Sequence, residues 1–324
     1  MTPLRSCFAW ASRVVRSGRM PEPLRIVSMI ASATEIVHAL GLGEFQVGRS
    51  HECDFPAPVA SLPIVTRPRF DVHGTSQEID TRVRETLAAA GSVYEVLSEL
   101  MEPLEPTHIL TQTQCKVCAV SFEDVERALS ESVRNRPQVV ALEPNSLADI
   151  WKDIQRVADR CGVPERGHRL VAALQSRMAG IVAKAKGKPK RVACIEWQEP
   201  LMAAGNWVPE LIEMLGCVNL FGDAGKHSPW MSFDDLIASD PDVILVMPCG
   251  YSLAQARAEM HWLEDRAGWA HMPAKVYLLD GNQYLNRPGP RVVESLQMLA
   301  EILYPEHFTP DLGGGIGWER RPRG

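Results

Sequence analysis

The 324-residue chain has none of the short signatures that hold phosphates, catalytic metals or serine nucleophiles. It contains no P-loop, no G-x-G-x-x-G after a strand-like run, no H-E-x-x-H and no G-x-S-x-G. No apolar run approaches the roughly 18 residues that a membrane-spanning helix needs. Basic charge is not in excess: 34 Lys and Arg against 40 Asp and Glu leave a net charge of -6, so nothing electrostatic points to nucleic acid. There is no short-period repeat. The eight cysteines do not form a disulfide framework. Cys7, Cys53, Cys161, Cys194, Cys217 and Cys249 stand singly, several in apolar runs where a buried free thiol is the ordinary role.

What is present is an ordinary globular composition, 45% hydrophobic and 23% charged, in a chain long enough for two cores. Short apolar runs alternate with helical periodicities. Ile26-Val27 ends at Ser28, and Ser32 and Glu35 have capping-box spacing, which predicts a helix starting at Ser32. Gly41 and Gly43 stop it, and a strand at Gln46–Gly48 follows. Residues 79–100 read as largely helical, interrupted at Gly91. Residues 122–129 read as a short helix and 138–142 as a strand. Leu147, Ile150, Trp151, Ile154, Val157 and Cys161 repeat at helical spacing, and Pro164 opens a second helix reaching about Ala185. Strands at 192–195, 243–247 and 276–279 then alternate with helices. Such alternation predicts parallel sheets covered on both faces, with ligands met by loops at the carboxyl ends of the strands.

The run S-x-x-A-S-A-T-E-I-V-x-A-L-G-L-G, then V-G-R-S-H-E-C-D-F-P, T-Q-T-Q-C-K-V-C-A-V-S, D-P-D-V-I-L-V and N-Q-Y-L-N-R-P-G-P-R-V-V-E resembles the cobalamin-binding branch of the type III periplasmic binding proteins. These are the solute-binding components of corrinoid and ferric-siderophore importers. The resemblance covers roughly Leu24 to Pro305. It implies an α/β fold of two Rossmann-like lobes with parallel sheets joined by one long rigid helix. The expected boundaries are an extension over 1–23, a lobe over 24–163, the linking helix over 164–186, a lobe over 187–305 and a disordered tail over 306–324.

The first 20 residues carry Arg5, Arg13, Arg16 and Arg19 with no acid before Glu22. The apolar stretch Cys7–Ala11 is too short for a secretory core, and nothing apolar precedes the partial lipobox at Leu4–Cys7. The expectation is a cytoplasmic protein with a disordered extension, the alternative a periplasmic one.

A corrin is a broad disc with amide arms, held by aromatic contact on its faces and hydrogen bonds at its rim. Trp197, Trp230 and Tyr284 fall at strand ends or loops and are the aromatic candidates, whereas Trp151 lies on a helix stripe and reads as core. The resemblance places Trp230 against the corrin and makes Arg287 a donor to its amide arms. It also maps first-lobe contacts to His51, Asp54 and Arg67, although His-Glu-Cys-Asp-Phe replaces a Tyr-containing turn and Arg67 an aromatic. His51 has two readings, a cobalt ligand or a hydrogen-bonding cleft residue. Cys115 and Cys118 form a Cys-x-x-Cys pair. With Cys53 and His51 they make a candidate metal or thiol cluster; otherwise they are reduced, with Gln112 and Gln114 facing the cleft. By resemblance, Glu99 and Asp234 dock to arginines of a membrane permease.

The sequence reading is thus a monomeric, non-enzymatic solute-binding protein holding cobalamin or another corrinoid between two lobes. No firm metal site is expected, and an ABC permease is the expected partner. A ferric-siderophore or haem binder is one alternative. A thiol- or metal-dependent enzyme using Cys115, Cys118, Cys53 and His51 is another.

Overall fold

The computed structural model describes residues 23–113, 124–125 and 136–322. The first lobe contributes strands β1 (Ile26–Ser28), β2 (Gln46–Arg49), β3 (Thr66–Pro68), β4 (Tyr94–Val96), β5 (His108–Gln112) and β6 (Gln138–Leu142). Four of them form a sheet in the order β2-β1-β5-β6, parallel at every pairing. β3 and β4 pair antiparallel in a separate two-stranded ribbon. The second lobe contributes β7 (Arg191–Trp197), β8 (Met202–Ala203), β9 (Val218–Asn219), β10 (Val243–Val246), β11 (Lys275–Leu279) and β12 (Trp318–Arg321). β10 lies between β7 and β11, parallel to both. Val243–Val246 is buried at every residue, as a strand covered on both faces must be.

The helix Pro164–Lys184 joins the lobes. Proline suits its first turn because the missing N–H has no intrahelical partner there. This helix packs on Leu147–Arg160 of lobe one and on Val292–Leu303 of lobe two. Close approach to the first of these depends on Gly167, where an added Cβ would lie 2.6 Å from the Ala158 Cβ. One apolar cluster runs through all three helices and both sheets, from Ile26 and Leu110 through Leu174 and Met178 to Leu245 and Leu299. The lobes therefore share a core instead of touching only through a flexible linker.

Three expectations differ from the fold. The first helix spans Ala31–Ala39 with no side-chain cap, because Glu35 turns away from the helix start to meet arginines of the other lobe. The helix expected over 79–100 is Ser76–Ala90, closed by Gly91 at φ 71°. Beyond it, Tyr94–Val96 is β4, since pairing with β3 outweighs an apolar spacing that also suits a helix. The tail expected to be disordered instead supplies β12, antiparallel to β11. Trp318 packs edge-on against Tyr277 and donates its indole N–H to Glu301, while Glu319 takes a bidentate pair from Arg257. The N-terminal extension, Cys115, Cys118 and most of the helix expected at 122–129 lie outside the described residues.

Candidate ligand cleft between the lobes

A cavity of about 460 Å³ opens between the two sheets, its walls mostly apolar. Lobe two supplies the indoles. Trp197 ends β7 and donates its N–H to the Glu199 carbonyl at 3.1 Å, with Tyr251 5.2 Å away. Trp230 is bridged to Met202 of β8 yet remains 57% exposed. A large indole left so open at a cavity wall is placed to meet something other than its own core.

Lobe one answers with the Ser76–Ala90 helix, whose Ile79, Val83 and Leu87 line the cavity. The Arg84 guanidinium lies 5.8 Å from the Trp230 ring centroid and pairs with Asp80 at 2.9 Å. Two glutamates also reach the wall. Glu52 accepts a hydrogen bond from the Tyr94 hydroxyl at 3.1 Å, and Glu196 accepts one from Ser228 at 3.0 Å. Loss of water around Glu52 pushes its carboxyl up to about 7, against the opposing effects of Tyr94 and Arg287. Ser32 lines the cavity with its hydroxyl buried and without a hydrogen-bond partner among the described residues.

Beside the cavity the lobes are clamped by ions. Arg287 is 5% exposed. It donates to Asp54 at 2.5 and 3.0 Å, to Glu35 at 3.2 Å and to Asn282 at 3.1 Å. Arg291 adds two bonds to Glu35, at 2.9 and 2.6 Å, and lies 4.1 Å from the Phe55 ring centroid and 5.2 Å from that of Tyr284. Asp54 feels desolvation upward, but the bonds and charge of Arg287, with that of Arg291, hold its carboxyl below the usual range.

The expected site residues therefore separate. Trp197, Trp230 and Arg287 line the cavity. Asp54 and Tyr284 belong to the clamp beside it. His51 and Arg67 do not line it, a correction to their expected place. The His51 ring bonds Thr66 at 2.8 Å and lies 5.2 Å from Tyr94; burial, then the Arg49 charge, lowers it to about 4. Arg67 is exposed and paired with its cross-strand partner Glu95. Glu99 and Asp234 are both exposed, each in a helix first turn. Of the proposed cluster, Cys53 is buried against Thr34 at 3.0 Å, and burial pushes its thiol up to about 11, opposite to a reactive thiolate. Among the described residues, no group of three or more His, Cys, Asp or Glu could hold a metal ion. The 28–32 loop and the 49–55 turn, expected as binding surface because they follow strand ends, do supply Ser32 and Glu52 to the wall, but the sequence reading missed Tyr94 and the cavity face of the 76–90 helix. The spacing of Ile79, Val83 and Leu87 was visible, but spacing does not distinguish a core from a cavity.

Two lobes with a shared core and a preformed slot between them define a solute-binding protein. The chain belongs to the periplasmic binding protein family, whose model matches residues 26–280. It is 23% identical over 297 residues to the ABC transporter substrate-binding lipoprotein YvrC of Bacillus subtilis, covering 89% of this chain and 82% of that one. It is 22% identical over 282 residues to the vitamin B12-binding protein of Vibrio cholerae, covering 86% and 88%. Among solved structures, the periplasmic heme-binding protein RhuT of Roseiflexus sp. RS-1 superposes with a TM-score of 0.64 at 25% identity, covering 88% of this chain and 99% of RhuT. The vitamin B12 binding protein BtuF of Vibrio cholerae superposes with a TM-score of 0.62 at 20% identity, covering 88% and 98%.

The two-lobed type III fold is that of these neighbours. The family is one of binding proteins, not enzymes, and serves ABC importers, so a small-molecule ligand and a membrane permease are its partners. Membership also overturns the expected cytoplasmic location, since relatives of this kind are periplasmic or lipid-anchored outside the cytoplasm. Among the described residues, no helix is long and apolar enough to cross a membrane.

Proposed function

We propose that the chain holds cobalamin or a related corrinoid non-covalently in the interlobe cleft and delivers it to an ABC importer. The observation that carries this reading is the cleft's pairing of open apolar faces with a neutralised cation. Trp197 and Trp230 share the cavity lining with the Ile79, Val83 and Leu87 stripe, an apolar wall that suits a flat ring. Arg287 is already committed to Asp54 and Glu35 and Arg84 is paired with Asp80, so neither guanidinium is left to balance an anionic ligand. A corrin rim carries neutral amides; haem and many ferric chelates carry anionic groups that such a wall does not favour. The vitamin B12-binding relatives support the same choice.

Haem is the second reading, supported by the phenol of Tyr94 on the cavity wall and by the likeness to RhuT. Titration calorimetry with cyanocobalamin, dicyanocobinamide, hemin and a ferric hydroxamate separates the two. Tightest binding by a corrinoid is expected; tight hemin binding with no corrinoid heat would replace this reading by the second.

Glu99 and Asp234 are proposed as the permease-docking acids, one on each lobe. Reversing both to Arg is expected to leave corrinoid affinity unchanged while stopping corrinoid uptake by cells that depend on the importer. Normal uptake by the double variant removes them from that role.

A further inference from the structure

Lobe one meets the cavity through a helix that both lobes hold. Ile79, Val83 and Leu87 recur every four residues along Ser76–Ala90 and present one stripe to the cavity. Val83 and Leu87 also rest on the lobe-one cluster around Val27 and Met101. At its other end the helix is gripped by lobe two. The Ser76 backbone N–H and hydroxyl donate to Glu259 Oε2 at 2.8 and 2.7 Å, and the Trp262 indole N–H donates to the same oxygen at 2.9 Å. Ser76 and Glu259 are both buried, so water does not compete for these charge-assisted bonds. The carboxylate also faces the positive end of the helix. Nearby, the buried Ser32 hydroxyl lines the cavity with no partner among the described residues. Such a group is costly unless something else bonds it.

We propose that the Ser76–Ala90 helix is the lobe-one face of the ligand site. Ile79, Val83 and Leu87 lie against one face of a broad, flat metal chelate, and the Ser32 hydroxyl donates to a polar arm at its rim. Glu259 is a positioning residue that holds the helix across the cleft from lobe two. This inference rests on the corrinoid reading of the cleft and adds to it the residues of the first-lobe wall.

Dissociation of cyanocobalamin is followed by stopped flow for wild type, Glu259→Ala, Glu259→Gln and Val83→Arg, with Ala88→Arg on the exposed side of the same helix as control. Loss of a charge-assisted latch is expected to speed dissociation from Glu259→Ala roughly tenfold. Glu259→Gln retains an acceptor oxygen and is expected to restore much of the wild-type rate. Val83→Arg is expected to lose binding, whereas Ala88→Arg binds as wild type; unchanged circular dichroism checks that each variant folds. In ligand-free protein, hydrogen exchange over 77–82 is expected to rise in Glu259→Ala and fall back in Glu259→Gln. Wild-type binding alongside unchanged rates in Glu259→Ala and undiminished binding by Val83→Arg would overturn this inference and leave the corrinoid reading intact. Failure of wild type to bind either cyanocobalamin or dicyanocobinamide overturns both.

Discussion

Arg287 illustrates how one side chain acquires two jobs. Its position fits a ligand donor, and it does line the cavity, but its guanidinium is occupied by Asp54 and Glu35 from the opposite lobe. Removing one partner of a buried pair leaves the other charge uncompensated, at a cost of about 3–5 kcal/mol. Arg287→Ala is expected to lose that much in urea unfolding. Asp54→Asn is expected to lose distinctly less, because the Asp54 side chain is 49% exposed while Glu35 still compensates the arginine. Equal losses would mean that Asp54 alone carries the clamp. Glu52 gives a second test. Its folded value of about 7 lies above its ordinary 4.5, so the folded state holds the proton more tightly. Its contribution is therefore most favourable below 4.5, declines as pH rises to about 7 and is flat beyond. Glu52→Gln removes that decline. The stability difference between variant and wild type should grow in the variant's favour across this window; a pH-independent difference contradicts the buried-acid account.

Among the elements, two glycines do different work. Gly91 ends the 76–90 helix at φ 71° with open space around it. Gly91→Ala therefore costs only left-handed backbone strain, about 1 kcal/mol. Gly167 has no unusual dihedral, but its Cβ would press on Ala158 where the linking helix meets Leu147–Arg160. Gly167→Ala is expected to cost about 1–3 kcal/mol by overpacking and to loosen that helix pair. Thermal melts of the two variants check the order; a larger loss at Gly91 reverses the argument. The same scale explains where the sequence reading held. The 147–160 and 164–184 helices were legible because their apolar stripes are long and their starts are marked locally, by the Ser146 cap and by Pro164 in the first turn. β4 was not legible as a strand because its pairing with β3 joins residues far apart in sequence. β12 was hidden in a polar, glycine-rich tail whose strand exists only because β11 offers it an edge.

For the molecule as a whole, the shared core, the linking helix and the Arg287–Asp54–Glu35–Arg291 clamp oppose opening about a hinge. Ligand binding is expected to change the radius of gyration by less than about 1 Å, the range of preorganised complexes. X-ray scattering with and without cyanocobalamin measures this, and a contraction of several ångström would show that the clamp is broken and remade on binding.

The sequence by itself determined the alternating elements, the helix between the lobes and the family, because periodicity, caps and motifs are local properties of the chain. It also placed Trp197 and Trp230 at the ends of elements that face a crevice. Only the tertiary structure decided which candidates meet the cavity. It turned Asp54 and Tyr284 into clamp residues, set His51 against Thr66 and brought the 76–90 helix across to Glu259. Each of those outcomes depends on which side chain from a distant segment arrives to satisfy a charge or a hydrogen bond, and spacing along one chain does not encode that choice locally.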